Sequence, residues 1–191
     1  CEVGKWMTHP AFQNFDVKGL WVGKFETGND NGIIVKPNVS SWRNANVATF
    51  FKTSYNYKRE MDSHMMKNTE WGAVAYLSHS KYGINTEVRI NNNSNYLTGY
   101  AGTTENAAGS LTDNQPYNTE TGYKASSTGN ITGVYDMSGG AWEYMAAYSG
   151  LGSSGLTVAE LNTYEQYFDV YPSNSSASTW NYRILGDATG E

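Results

Sequence analysis

From Asn91 to Asn130 the sequence runs for about 40 residues without apolar periodicity, a stretch of Asn, Ser, Thr and Gly punctuated by isolated rings at Tyr96, Tyr100, Tyr117 and Tyr123. No element of ordinary length fits it. A loop this long inside a compact domain is either functional or disordered.

Those segments are short. In KWMTHPAFQNFDVKGLWVGKFETG, Phe15, Val17, Leu20, Val22 and Lys24 alternate with Asp16, Lys18, Trp21 and Gly23, which predicts strand with Gly19 as a turn or bulge. GNDNG (Gly28 to Gly32) is a loop of turn residues, and GIIVKP a brief strand stopped by Pro37. Ser40 or Ser41 is placed to cap a helix running to about Tyr55. In MMKNTEWGAVAYLSHSKYG, Trp71, Val74, Ala75 and Ser78 share a helical face, and Gly83 is placed to end that helix. EVRI (Glu87 to Ile90) reads as a short strand. After the long loop, GVYDMSGGAWEYMAAYSG offers Val134, Met137, Trp142, Tyr144 and Met145 as core candidates around a Ser138-Gly139-Gly140 turn. Thr157 and Glu160 form a capping box, with Leu156 and Leu161 as its staple, and predict a third helix from Val158 to about Phe168. The whole reads as one α+β domain, residues 1–191, with short strands, two to three helices, long irregular loops and a polar insertion over residues 91–130.

Composition narrows the function classes. Rings are 14% of the chain, with 15 Tyr and 6 Trp, so aromatics rather than aliphatics have to fill the core. Thirteen Lys and Arg, scattered without a run, give no basic stripe for a phosphate backbone, which argues against nucleic acid. The longest apolar run, Trp71 to Leu77, is far below a membrane span. Asn, Ser, Thr and Gly make up about two-fifths of the residues, a surface solubilised by hydrogen bonds and typical of exported proteins. A lone Cys excludes a disulfide framework, a Cys-based zinc site and a CxxC pair, and a start at Cys1 without Met reads as a processed chain or a chosen stretch of a longer one.

Three motifs in order then carry a resemblance. LWVGKFETG with KPNVSSWRNANVATFF, MMKNTEWGAVAYL, and GVYDMSGGAWEY are similar to the strand, the Glu-Trp helix and the Gly-x-Tyr-Asp-Met-x-Gly-Asn-x-Trp-Glu-Trp signature of the formylglycine-generating enzyme, or sulfatase-modifying factor, family. Phrases of the second and third also resemble prepilin-associated surface proteins of gut Firmicutes, and the fold is shared with diversity-generating retroelement variable proteins. The resemblance implies a C-type lectin-like fold with Trp42, Trp71 and Trp142 in structural positions. It does not carry the activity over. The enzyme binds copper through a Cys pair near its C-terminal end, and Cys1 is the single Cys here. Gly140 replaces an Asn that helps bind calcium in the enzyme, leaving Glu143 as the carboxylate there, so no metal ligand set is assigned, although calcium stays open. Lys67 stands where the family has a capping Thr. The closing Arg-Gly-Gly and Gly-Phe-Arg strands are not found, which reads as truncation after Glu191 or completion by a partner segment.

The residues themselves offer little catalysis. His9, His64 and His79 have no metal-ligand spacing and read as exposed polar side chains. Ser80 and Ser138 lack a nucleophile context. Asp136 and Glu143 read as acceptors of backbone hydrogen bonds rather than an acid pair, and Asp30 lacks an EF-hand's acidic spacing. Tyr96, Tyr100, Tyr117 and Tyr123, set among Ser, Gly and Asn, have the chemistry of a paratope, with anchoring of the loop to the core as the competing role. The expectation is a non-catalytic, cell-surface or extracellular domain that binds a protein or glycan, with no cofactor. The alternatives are a pilin-like or phage-tail assembly module and a degenerate oxidase of the resembled type.

Overall fold

The computed structural model describes residues 18–103, 114–148 and 154–171. Among them the order is β1 (Gly28–Asn29), β2 (Ile33–Ile34), α1 (Val47–Tyr57), α2 (Asn68–Leu77), β3 (Tyr100–Ala101), β4 (Gln115–Pro116), β5 (Ala147–Tyr148), α3 (Val158–Thr163) and β6 (Asp169–Val170), with 3-10 turns at Arg59–Met61, Gly122–Ala125 and Glu165–Tyr167. The mixture of helices with two-residue strands is α+β. The described residues divide into two compact units, residues 19–45, 74–103 and 114–143 in one, and residues 18, 46–73, 144–148 and 154–171 in the other.

In the unit containing residues 19–45 and 74–143, β1 and β2 pair antiparallel, Gly28 opposite Ile34, over the expected GNDNG turn. The strand predicted through Leu20 to Lys24 does not form a ladder; Phe15 and Val17 lie outside the described residues. Alternation does persist as far as Lys24, and its phase then slips to bury Phe25. EVRI is likewise not a strand: Arg89 N–H goes to the Lys124 carbonyl instead. The core is Phe25, Ala101, Ala125 and Tyr135, with Val35 and Tyr117 packed on it. Phe25 stacks on Tyr135 at 5.3 Å and meets the edge of Tyr117 at 5.1 Å. Aromatic rings replace aliphatics here, as the composition requires. The described parts of residues 91–130 are therefore ordered, and Ala101 and Ala125 supply half of this core, so the stretch read as either functional or disordered is in part scaffold.

In the other unit, α1 begins later than expected. Asn46 is its N-cap, its Oδ1 accepting from Thr49 N at 2.8 Å, while Ser41 is buried in a bridge to Gly28. Both Ser and Asn can cap; the Ser41 hydroxyl is instead directed to Glu26 and its N–H to the Tyr96 carbonyl. Phe51, Met65, Ala146 and Tyr167 form the core, with Phe50, Tyr55, Leu156, Tyr164 and Phe168 against it. The Thr157 capping box forms, with Thr157 N to Glu160 Oε2 at 2.8 Å and Glu160 N to Thr157 Oγ1 at 3.2 Å. The helix it starts ends at Thr163 and tightens into a 3-10 turn. Past that change of period Tyr167 is buried, while Tyr164 and Phe168 are half-buried.

At the end of α2 the last amides make i to i+3 bonds, from Ser78, His79 and Ser80. The helix ends at Leu77, six residues before Gly83, the expected terminator; Gly83 instead closes the turn that follows, with its N–H on the Ser80 carbonyl, and packs on the Leu77 and Ser78 carbonyls where a Cβ has no room. Val74 and Ser78 of the predicted face are buried, and Trp71 and Ala75 half-buried.

Candidate functional site

Two segments run side by side in the unit containing residues 19–45 and 74–143. Asn38 N donates to the Thr98 carbonyl, Thr98 N to Val39, and Ser41 N to Tyr96, with Ser40 bridging Leu97 antiparallel. Thr98 is fully buried between them, its Oγ1 donating to the Lys36 carbonyl at 2.7 Å.

The approach to this pairing is shaped by asparagine. Asn91 Oδ1 accepts from Asn93 N, and Asn93 Oδ1 from Asn95 N and, at 3.4 Å, Leu97 N. These Asx turns substitute side-chain acceptors for a ladder and let Tyr96 take a positive φ of 54°. The NNNSN run, without pattern as a helix or strand, thus has a defined backbone.

Asp136 anchors the arrangement. Its carboxylate, 2% exposed, accepts from Gly99 N at 2.8 Å, Asn91 Nδ2 at 2.9 Å and Glu26 N at 3.2 Å. This is the structural role anticipated for it. Burial pushes its pKa above the ordinary carboxylate value, against the hydrogen bonds from Gly99, Asn91 and Glu26. The acid beside it is Glu26, which the sequence reading passed over because a lone Glu in a strand-like segment carries no motif. Burial pushes Glu26 up to about 8, helped by the charges of Glu143 and Asp136 and opposed by hydrogen bonds from Ser41 and the Ala141 amide. Glu26 is therefore protonated near neutral pH, with Ser41 Oγ at 2.5 Å from its Oε2.

The four predicted tyrosines divide. Tyr96, 36% exposed, lies under the Arg43 guanidinium at 3.9 Å. Tyr100 is half-buried and donates its hydroxyl to Asn38 Oδ1 at 2.9 Å. These two are four residues apart on the paired segment, at most about 14 Å along the chain. Tyr117 is instead part of the aromatic core, and Tyr123 is half-buried in a 3-10 turn whose carbonyl holds Ser126 Oγ. For Tyr117 the anchoring role is the one observed. Arg43 and Asn38 were missed; both precede the loop and only the pairing brings them to it.

Trp142 corrects another expectation. It is 97% exposed, and Tyr144 is 59% exposed, so neither belongs to the core; Val134, Met137 and Met145 are half-buried. Trp142 follows Gly139 and Gly140, both at positive φ, which carry the backbone outward after the buried Asp136. Trp42 and Trp71 are half-buried.

Of the histidines, His9 lies outside the described residues, His79 is exposed, and His64 is half-buried against Glu70 rather than exposed. Asp30 pairs with Lys36 at 3.8 Å, and Ser80 Oγ accepts from Tyr82 N within a turn. Among the described residues no group of three or more His, Cys, Asp or Glu is placed to hold a metal ion, and no helix is long and apolar enough to cross a membrane. No model of a known protein family and no curated protein matches the chain.

Proposed function

We propose that the chain is a non-catalytic binding domain with a C-type lectin-like fold, displayed at a cell surface, that recognises an extracellular glycan or protein through the surface around Tyr96. The observation that carries this reading is the Arg43–Tyr96 stack on a backbone pinned from beneath by Asp136. An exposed ring of fixed orientation, a guanidinium with further donors and nearby amides at Asn38, Asn93 and Asn95 are the groups that pack on sugar faces and bond their hydroxyls, or bind a polar protein surface. Their order before binding reduces the entropic cost of association. The resemblance to a fold used for display and the amide-rich composition support the same reading, and the lone Cys1 supports the absence of copper oxidase chemistry.

The test is binding to a glycan array and to immobilised host-surface proteins by the native chain and by an Arg43→Ala, Tyr96→Ala double variant. Binding lost by the variant with its circular dichroism unchanged supports the proposal. Equal binding by both chains overturns the assignment of this surface.

A second reading, an assembly module, has its own observation: Trp21 and Trp142 present whole indoles to solvent, at 101% and 97% exposure. If that reading holds, Trp142→Ala abolishes concentration-dependent association in sedimentation and leaves glycan or host-protein binding intact.

A further inference from the structure

His64 faces acceptors on both sides. Its Nδ1 is 2.8 Å from the carbonyl oxygen of Asp62, which can only accept. Its Nε2 is 3.2 Å from both carboxylate oxygens of Glu70. A neutral imidazole has one N–H, so it satisfies one of these partners and turns a lone pair toward the other; the imidazolium satisfies both.

The surroundings are arranged around that proton. Glu70 is 5% exposed and also accepts from Lys67 N at 2.9 Å, so its carboxylate closes the first turn of α2 while it holds His64. Asp62, at positive φ, ends the Arg59–Met61 turn, and its own carboxylate accepts from the Tyr167 hydroxyl at 2.8 Å. The Tyr167 ring lies 5.5 Å from the imidazole. Arg59 donates to the Tyr167 hydroxyl at 3.1 Å and sits 3.7 Å from the Asp62 carboxylate. The charged and titratable groups around His64 are thus Glu70 and Lys67 from the start of α2, Asp62 and Arg59 from the turn, and Tyr167 from the Glu165–Tyr167 turn.

We propose that His64 is a proton-operated clasp, which as the imidazolium ties the Arg59–Met61 turn to the start of α2 and on deprotonation lets the connecting segment, residues 62–67, open. The hydrogen bond that His64 Nε2–H donates to Glu70, opposed by partial burial and reinforced by the Asp62 carbonyl and the nearby carboxylates, raises the His64 pKa above its ordinary value. Opening is therefore suppressed at acidic pH and increases as pH rises through the folded-state pKa.

The experiment is a pH series from 5 to 9 on the full chain, following His64 ring nitrogens by NMR and the Lys67 amide by hydrogen exchange corrected for intrinsic rate. Both ring nitrogens are expected in the protonated range at pH 6. Lys67 protection is then expected to fall as His64 titrates, about tenfold for each unit by which the folded pKa exceeds the unfolded one. Glu70→Gln is expected to lower the His64 titration and move the loss of protection with it. His64 titrating at or below the free imidazole value in the native chain, or Lys67 protection constant across the titration, overturns the proposal. The native-chain series decides the matter even if Glu70→Gln does not fold.

Discussion

The Asp169 carboxylate accepts the Thr69 amide at 2.8 Å, so the N-terminus of α2 is capped by a residue 100 positions away in sequence. Lys67 occupies the N-cap and cannot accept, and Glu70 at the third helical position bonds back to the Lys67 amide. One half of a capping box is present and β6 supplies the other. This accounts physically for Lys67 at the N-cap: the orphan amide is served from outside the helix. Asp169→Ala is expected to destabilise by about 1–2 kcal/mol in denaturant titration. Lys67→Thr introduced into Asp169→Ala restores a local cap and recovers a large part of that loss; no recovery sinks this account.

The tyrosines make a sharper pair. Tyr117 packs edge-on to Phe25 and Tyr135, at 5.1 and 5.9 Å. Tyr117→Ala is expected to cost about 3–5 kcal/mol through the cavity left behind. Tyr96→Ala removes an exposed ring and a cation–π contact of about 0.5–1 kcal/mol, so stability barely moves. Denaturant midpoints of the two variants separate scaffold from surface. Equal losses contradict the division of the site drawn above.

Glu26 makes stability depend on pH in a particular direction. Its folded pKa of about 8 lies above the ordinary 4.5, so the native state holds a proton that the unfolded chain releases across that interval. Stability is fully present below about pH 4.5 and declines as pH rises through about 8. The raised pKa of Asp136 acts in the same sense from its own ordinary value upward. Glu26→Gln retains an acceptor for Ser41 Oγ and cannot ionise, so its melting temperature is expected to fall less than the native chain's between pH 5 and 8.5. The difference between the two profiles isolates Glu26 from His64, whose contribution is common to both. Parallel profiles refute the ionisation assigned to Glu26.

What could be read in advance follows the range of the interactions. The Thr157 capping box, the GNDNG turn and the existence of α2 rest on neighbours within a few residues, and they form. The burial of Phe25, the core position of Tyr117 and the Arg43–Tyr96 stack depend on segments brought together over long separations, which no local pattern encodes. Thr69 with Asp169 and Gly99 with Asp136 are of the same kind. The aromatic-rich composition and the competing anchoring role were the signals that tyrosines of the polar stretch serve the core, as Tyr117 does.

Gly99 tests the long-range part most directly. Its φ is +73°, its amide donates to Asp136, and a Cβ there falls 2.8 Å from the Phe25 ring and 3.1 Å from Pro37. Gly99→Ala therefore combines left-handed backbone strain of about 1–2 kcal/mol with overpacking of about 1–3 kcal/mol. The total expected loss is about 2–5 kcal/mol, large because the Phe25 ring is locked between Tyr135 and Tyr117 and cannot simply withdraw. Phe25→Leu in the same chain removes the ring edge that the new methyl meets. It is expected to leave the Gly99→Ala loss smaller than in the native background, a coupling that a double-mutant cycle measures. Strict additivity of the two substitutions means that Gly99 is required for its backbone angle alone, and the close approach to Phe25 then has no energetic role.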